Sequence, residues 1–120
     1  MQVETMLSDQ IARFLDLSAA EAKLTAANMA NIDTPGYRTV GMDFEAEMGQ
    51  AMNDVAENRG PTRVRVADVD GLISRPDGNN VSMDRESLNL AEAQLRFKTG
   101  VALLREQNQR VMDAIHADGK

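Results

Sequence analysis

Apolar residues recur every three or four positions along the first quarter of the chain. The segment Glu4–Asn31 contains neither glycine nor proline, so no helix-breaking residue interrupts it. Two consecutive sets of positions carry this spacing, namely Leu7, Ile11 and Phe14, then Leu17, Ala20, Leu24, Ala27 and Asn31. A spacing of three and four places them on one stripe of a helix surface. The segment is therefore predicted to form one long amphipathic helix.

The last third of the chain carries a more regular pattern. Ser82 or Asp84 can act as the N-cap of a helix, and Glu86 then falls in its first turn, where a negative charge favours the helix dipole. Spacings of four and three then alternate through Leu90, Gln94, Phe97, Val101, Leu104, Asn108, Val111 and Ile115. This seam is typical of a coiled coil, in which buried amides fix the register. Gly100 is its one weak position.

The middle of the chain has a different character. Apolar residues at helical spacing predict a short helix over Met42–Val55. The segment Arg63–Val69 alternates apolar and polar residues as a strand does, and Ser74–Asn80 contains the turn-forming sequence Pro-Asp-Gly. This segment is long enough to turn the chain back, so that the two terminal helices can pack on each other or on neighbouring copies.

These patterns divide the chain into three parts. Residues 1–38 form an N-terminal helix and a turn, residues 39–81 a variable middle segment, and residues 82–120 a C-terminal helix. The predicted fold is mainly α, with long N- and C-terminal helices packed as an antiparallel coiled-coil-like pair. The middle segment is predicted to be short, irregular and partly β.

Composition excludes several classes of protein. Only 3% of the 120 residues are aromatic, which argues against a thick globular core. The formal net charge of −6 argues against nucleic acid as a partner. There is no cysteine, no apolar run long enough to span a membrane, and no basic, apolar N-terminal signal. We therefore expect a chain that does not span the membrane and that leaves the cytoplasm, if it does, without a cleaved signal peptide.

Candidate catalytic and metal-binding residues are few. The single histidine, His116, stands near the C-terminus without a nucleophile motif. The acids Asp43, Glu45 and Glu47 are spaced by two, which points neighbours apart on a helix, so we interpret them as a solvated face. Asp68–Gly71 begins like a calcium loop, but the positions for the required glycine and closing acid hold other residues. We predict no enzyme activity, no cofactor and no metal site.

The segment ANMANIDTPGYRT, residues 27–39, ends the first helix with a stiff turn. Asn28 and Asn31 lie three apart on nearly the same helix face, where their amides can bind free carbonyl groups of the helix end or of the turn. Pro35 fixes φ at the second turn position, and Gly36 can adopt a positive φ at the third. Taken alone, these residues fit either a well-made helix stop or a binding motif.

The pattern A-N-x-x-N-x-x-T-P-G-Y, followed here by Arg38, resembles the N-terminal signature of bacterial flagellar rod and hook proteins. The segments MDFEAEM, after this motif, and RPDGNNVSMDRE, before the last helix, are similar to the short proximal rod members of that family. The resemblance covers roughly residues 5–56 and 75–115, whereas residues 57–74 match nothing in it. Longer members of the family insert β-rich domains for which this chain has no room.

The resemblance implies a structural axial subunit of the proximal rod of the flagellar basal body. Such a subunit polymerises helically through its terminal helices and transmits torque from motor to hook. Its implied partners are other copies of itself, other rod proteins, the rod-base adaptor protein, the export gate and the inner-membrane ring. Its implied location is the rod in the periplasmic space, reached through the flagellar type III export apparatus.

The resemblance also turns two sets of residues into candidate sites. The assembly motif comprises Asn28, Asn31, Thr34, Pro35, Gly36 and Tyr37. The helix seam comprises Leu17, Leu24, Leu90, Phe97, Val101, Leu104, Val111 and Ile115. A different interpretation of the same helices is a free two-helix adaptor or chaperone for exported proteins, which would not polymerise. A small hydrolase using the acidic middle segment has no supporting motif.

Overall fold

A computed structural model describes residues 2–118 of the chain, with side chains from residue 5 to residue 117. The elements follow in the order α1 (Gln2–Ala30), β1 (Val40–Gly41), α2 (Phe44–Ala56), β2 (Ala67–Asp68) and α3 (Met83–Asp118). The molecule measures 70 × 26 × 17 Å. Its length comes from α1 and α3, which extend about 44 and 54 Å at 1.5 Å per residue.

The two terminal helices pack against each other in antiparallel directions. The start of α3 lies beside the end of α1, where Asn28 donates to Glu86 at 3.1 Å. Further along, Arg96 forms an ion pair with Glu21 at 2.6 Å. The predicted mainly α fold with an antiparallel pair of terminal helices is confirmed.

The interface between α1 and α3 is centred on one heptad line of α3. Its buried members are spaced by seven residues and are Glu86, Ala93, Gly100 and Gln107. The expected seam lies to one side of this line. Its members Leu90, Val101, Leu104 and Val111 are half-buried, whereas Phe97 and Ile115 are 43% and 57% exposed. The amides Gln94 and Asn108, which were expected within the seam, are exposed as well.

Small residues explain why the centre of the interface departs from the expected seam. A Cβ atom added to Gly100 would lie 2.6 Å from Leu15 Cδ2 and 3.2 Å from Phe14 Cδ2. The two helices therefore approach most closely where α3 has no side chain, and Ala93 continues this close contact with no exposed surface. Gly100, which the sequence indicated as a weak position of the helix, is thus a point of close helix packing.

Helix α2 covers one side of the helical pair. Asp43 is its N-cap and accepts a hydrogen bond from the Ala46 backbone N–H at 3.1 Å. The Phe44 ring packs edge-on against Phe14, with centroids 5.8 Å apart. The guanidinium of Arg96 lies 4.2 Å above the same ring. Aromatic and cation–π contacts thus join α2 to both terminal helices, and the opposite side of the pair stays uncovered by α2.

The predicted strand over residues 63–69 is much shorter in the structure. Only Ala67–Asp68 pairs with β1, antiparallel, with Val40 opposite Asp68. Upstream of this strand, the Arg65 backbone N–H and Nε both donate to Glu47 Oε1, at 3.4 and 2.9 Å. Glu47 is 5% exposed, so the expectation of a solvated face was wrong for this residue. Its carboxylate holds the middle segment against α2, which takes the place of further strand pairing.

Candidate functional site: the polar junction between the terminal helices

The end of α1 and the turn after it form a hydrogen-bonded unit. Asn31 Nδ2 donates to the Ala27 carbonyl at 2.8 Å, and the Asn31 backbone N–H donates to the same carbonyl at 3.2 Å. Thr34 Oγ1 donates to Asn31 Oδ1 at 3.0 Å, and the Tyr37 backbone N–H donates to the Thr34 carbonyl at 3.2 Å. Gly36 adopts a φ of 75°, the positive value that the sequence predicted.

Asn28 is the centre of the polar contacts at this end of the helical pair. It is 1% exposed, and its amide makes four hydrogen bonds. Nδ2 donates to the Val40 carbonyl at 2.8 Å and to Glu86 Oε2 at 3.1 Å. Oδ1 accepts from the Val40 N–H at 3.1 Å and from Tyr37 Oη at 2.9 Å. One side chain thus binds the start of β1, the turn and the first part of α3, which fixes how the three meet.

The Glu86 carboxylate at this point has no exposed surface. Arg85 forms an ion pair with its Oε1, and Asn28 donates to its Oε2. Burial of a carboxylate is tolerated when both oxygens have partners of this kind. Burial, and next the negative charge of Glu86, raises the pKa of the Tyr37 hydroxyl above its usual value. Tyr37 therefore stays a hydrogen-bond donor to Asn28 over a wider pH range.

Two asparagines before α3 complete the junction from the other side. Asn79 has no exposed surface, and its Nδ2 donates to the carbonyls of Asn31 and Thr34 at 2.8 and 2.9 Å. Asn80 is 2% exposed, and its Oδ1 accepts from the Thr39 backbone N–H at 2.7 Å. Side-chain amides thus satisfy backbone groups on both sides of the turn. We call Asn28, Tyr37, Asn79, Asn80 and Glu86 the polar junction.

The turn after α1 packs directly on the turn before α3. The Gly36 N–H donates to the Asp77 carbonyl at 2.8 Å. A Cβ atom on Gly78, whose φ is 86°, would lie 3.4 Å from the Gly36 Cα. Arg75 spans the same contact and donates to the carbonyls of Val81 and Ile32. The two glycine-containing turns therefore form one compact end of the helical pair.

The structure separates the expected assembly motif into buried and exposed parts. Asn28 lies inside the polar junction, and Asn31 and Tyr37 are half-buried at its edge. Thr34, Pro35 and Gly36 are exposed and form the outer surface of the turn. Asn79 and Asn80 were not predicted as site residues, and Glu86 was predicted only to favour the helix dipole. Their segment carried part of the family resemblance, which was the available signal.

Two buried carboxylates of α2 form a second polar cluster. Asp54 is 1% exposed and accepts hydrogen bonds from Thr62 Oγ1 at 2.6 Å, Gln50 Nε2 at 3.0 Å and Arg59 Nε at 3.2 Å. The bond from Thr62, followed by those from Gln50 and Arg59 and by the charge of Arg59, lowers the pKa of this carboxyl although burial opposes the shift. Asp54 and Glu47 together hold residues 57–65 against α2.

The buried acids among the described residues have structural partners. Within residues 2–118, no three His, Cys, Asp or Glu side chains come together as a metal site. In the same part of the chain, no helix is both long and apolar enough to cross a membrane. The geometry defines an elongated helical-pair protein whose polar residues fix the arrangement of its helices.

Comparison with known proteins assigns this architecture to a family. The chain is 31% identical over 119 residues to the flagellar basal body rod protein FlgB of Salmonella typhimurium, covering 84% of this chain and 86% of the relative. It is 32% identical over 117 residues to the FlgB of Cereibacter sphaeroides, covering 89% and 91%, and 30% identical over 116 residues to that of Borrelia hermsii, covering 81% and 86%. No protein-family model matches the chain. The chain belongs to the FlgB family of flagellar basal-body rod proteins.

Proposed function

We propose that the chain is a structural axial subunit of the proximal rod of the bacterial flagellar basal body. The observation that carries the proposal is the match to rod proteins over more than four fifths of both chains, in diverse bacteria. In this role the subunits polymerise helically through their terminal helices and transmit torque from motor to hook. The role requires no catalysis, no cofactor and no metal.

The surface of α3 supports a role in assembly. Leu88, Leu95, Leu103, Met112 and Ile115 are between 46% and 66% exposed along this one helix. A helix with apolar residues on several faces is usually buried by more than one neighbour. A single partner helix, α1, leaves these residues exposed in the isolated chain. Neighbouring subunits packed along α3 would remove them from water.

The proposal includes specific partners and a location. The subunit contacts other copies of itself and other rod proteins, and at the base of the rod the adaptor protein, the export gate and the inner-membrane ring. It reaches the rod, in the periplasmic space, through the flagellar type III export apparatus. Within the assembly motif, the exposed Thr34, Pro35 and Gly36 would touch neighbours, whereas Asn28 would hold the turn in position.

The test is complementation in the source organism. A strain lacking the gene should be non-motile and should regain motility with the wild-type chain, which should also be found in isolated basal bodies by mass spectrometry and in the rod by cryo-electron microscopy. A free adaptor or chaperone would also affect motility, but it would be absent from purified basal bodies. Its absence there, with normal secretion of the chain, would favour that second function.

A further inference from the structure

The helical pair has a groove on the side that α2 leaves uncovered. It has a volume of about 450 Å³ and lies between α1 and α3. Its walls include the small residues Ala19 and Ala22 of α1 and the partly exposed Phe97 of α3. Fully buried Ala93 forms its floor. Because Ala19, Ala22 and Ala93 are small, the groove has room for a bulky apolar side chain from outside. We call this feature the alanine groove.

The edges of the alanine groove are basic. Lys98 belongs to its lining, and Lys23 follows Ala19 by four positions on α1, which places the two on neighbouring parts of the helix surface. Both lysines are exposed. Within residues 2–118 neither forms an ion pair with an acidic side chain. The groove therefore combines an apolar floor with the free positive charge of Lys98, while Lys23 and Asp16 both lie close to Ala19 on α1.

The outer face of α3, which points away from α1, carries a row of exposed leucines. Leu88 and Leu95 each follow a fully buried residue, Glu86 and Ala93, by two positions. Two positions are about 200° of helix rotation, so both leucines point away from α1. They are 61% and 66% exposed. Their spacing of seven residues places the two side chains in one row, about 10.5 Å apart along the axis.

Two acidic residues flank this row of leucines, and Lys98 lies three positions after Leu95. Glu92 lies four positions after Leu88 and three before Leu95, and Asp84 lies four positions before Leu88. Both acids are exposed, and neither forms an ion pair in the described part of the chain. We call Asp84, Leu88, Glu92 and Leu95 the acidic ridge.

We propose that the acidic ridge of one copy docks into the alanine groove of a second copy of this chain. Leu88 and Leu95 would fill the apolar groove, while Glu92 and Asp84 would meet Lys98 and Lys23. The inference rests on the proposed axial function. Groove and ridge are different surfaces of one molecule, so the contact is heterologous and leaves one ridge and one groove free. Repetition of such a contact adds copies in an open series, as an axial subunit requires.

Cysteine cross-linking tests the contact directly, since the chain has no cysteine of its own. Basal bodies carrying Ala22→Cys together with Leu95→Cys are oxidised and analysed by non-reducing electrophoresis and mass spectrometry. We expect a disulfide between position 22 of one copy and position 95 of another. The matched control is Ala56→Cys with Leu95→Cys, because position 56 is exposed on α2 and outside the groove. The control pair should give no such product.

Charge reversal provides a second test of the contact, in which the apolar floor of the groove stays unchanged. Glu92→Lys should reduce both the cross-linking yield and the amount of chain incorporated into basal bodies by about fivefold at low salt. This is the change in an equilibrium constant expected from losing one exposed ion pair at the upper end of the usual energy range. Adding Lys98→Glu should restore most of the loss. All four charged positions are exposed, so these variants should keep the helical content of the wild type in circular dichroism.

The outcomes separate this inference from the proposed function. If the wild-type chain is present in basal bodies but position 22 links only to another protein, or to nothing, the groove is not occupied by a second copy. An unchanged yield for Glu92→Lys would also overturn the inference. In both cases the axial function stands. Absence of the wild-type chain from basal bodies would overturn the axial function, and this contact with it.

Discussion

Asn28 gives the sharpest test of the role assigned to the polar junction. Its amide is 1% exposed and makes four hydrogen bonds, to Val40 twice, to Tyr37 and to Glu86. Asn28→Ala would leave these groups short of partners in a place that water reaches poorly. Each buried polar group left unsatisfied costs about 1–3 kcal/mol, and a charged group costs more.

The structure limits how much of this loss can be recovered. Tyr37 and Val40 are half-buried and can regain some hydration, whereas the Glu86 carboxylate is fully buried and keeps only Arg85. We therefore expect Asn28→Ala to lower the free energy of unfolding by about 3–5 kcal/mol, a large part of the roughly 5–15 kcal/mol typical of a domain. Urea denaturation followed by circular dichroism measures this change, which is larger than the uncertainty of about 10–15% in an extrapolated free energy of unfolding.

A second asparagine provides the matched control. Asn108 is exposed on α3, and Asn108→Ala makes the same chemical change in a helix without buried partners. Because alanine is the better helix former, this variant should be slightly more stable than wild type, by about 0.5 kcal/mol. If Asn28→Ala were no more destabilising than Asn108→Ala, the buried hydrogen bonds of the junction would not hold the two helices together.

Four further predictions concern two titrating side chains, two helix glycines and one residue of the α3 seam. Asp54→Asn should make the free energy of unfolding depend less on pH in acid. The lowered pKa of Asp54 stabilises the fold above the usual carboxyl value near 3.8, and this stabilisation is lost as pH falls through the lowered value. Tyr37→Phe should make the free energy of unfolding, measured by denaturation at different pH values, depend less on pH in alkali. The raised pKa of Tyr37 gives a stabilisation that is present below the usual value near 10 and is lost as pH rises through the raised value. Gly49→Ala, with open space around its Cβ, should stabilise by about 0.5–1 kcal/mol in thermal melts, whereas Gly100→Ala should destabilise because its Cβ meets Leu15 at 2.6 Å. Leu104→Asp should be exported but absent from purified rods in immunoblots, because it places a carboxylate in a half-buried seam; normal incorporation would show that this seam faces solvent.

Local sequence rules predicted the helical elements well. A long segment without glycine or proline and with a period near 3.6 leaves few alternatives to a helix, and α1 covers nearly the expected residues. The turn at Pro35 and Gly36 was predictable for the same reason, since each residue restricts or permits particular φ values. These features depend on neighbours within a few positions in the chain.

The polar junction could not be predicted in the same way, because its partners are far apart in sequence. The bond from Asn28 to Glu86 spans 58 residues, and the bond from Asn79 to Asn31 spans 48. Glu47 shows the same difficulty. A spacing of two from its acidic neighbours suggested a solvated face, whereas the buried carboxylate is paired with a residue 18 positions away, Arg65.

The width of the apolar stripe on α3 connects the fold to assembly. The heptad pattern correctly identified an apolar side of this helix, but not which half of it packs on α1. Ala93 and Gly100 are the small residues that allow the closest approach of the two helices, so α1 packs on them. This position leaves Phe97 and Ile115 exposed, although the heptad pattern placed both in the seam. An apolar stripe that is wider than one helix contact leaves hydrophobic side chains in water unless another surface covers the remainder. In a rod subunit, neighbouring subunits would provide that cover, and the alanine groove beside Phe97 is where we expect one of them to bind.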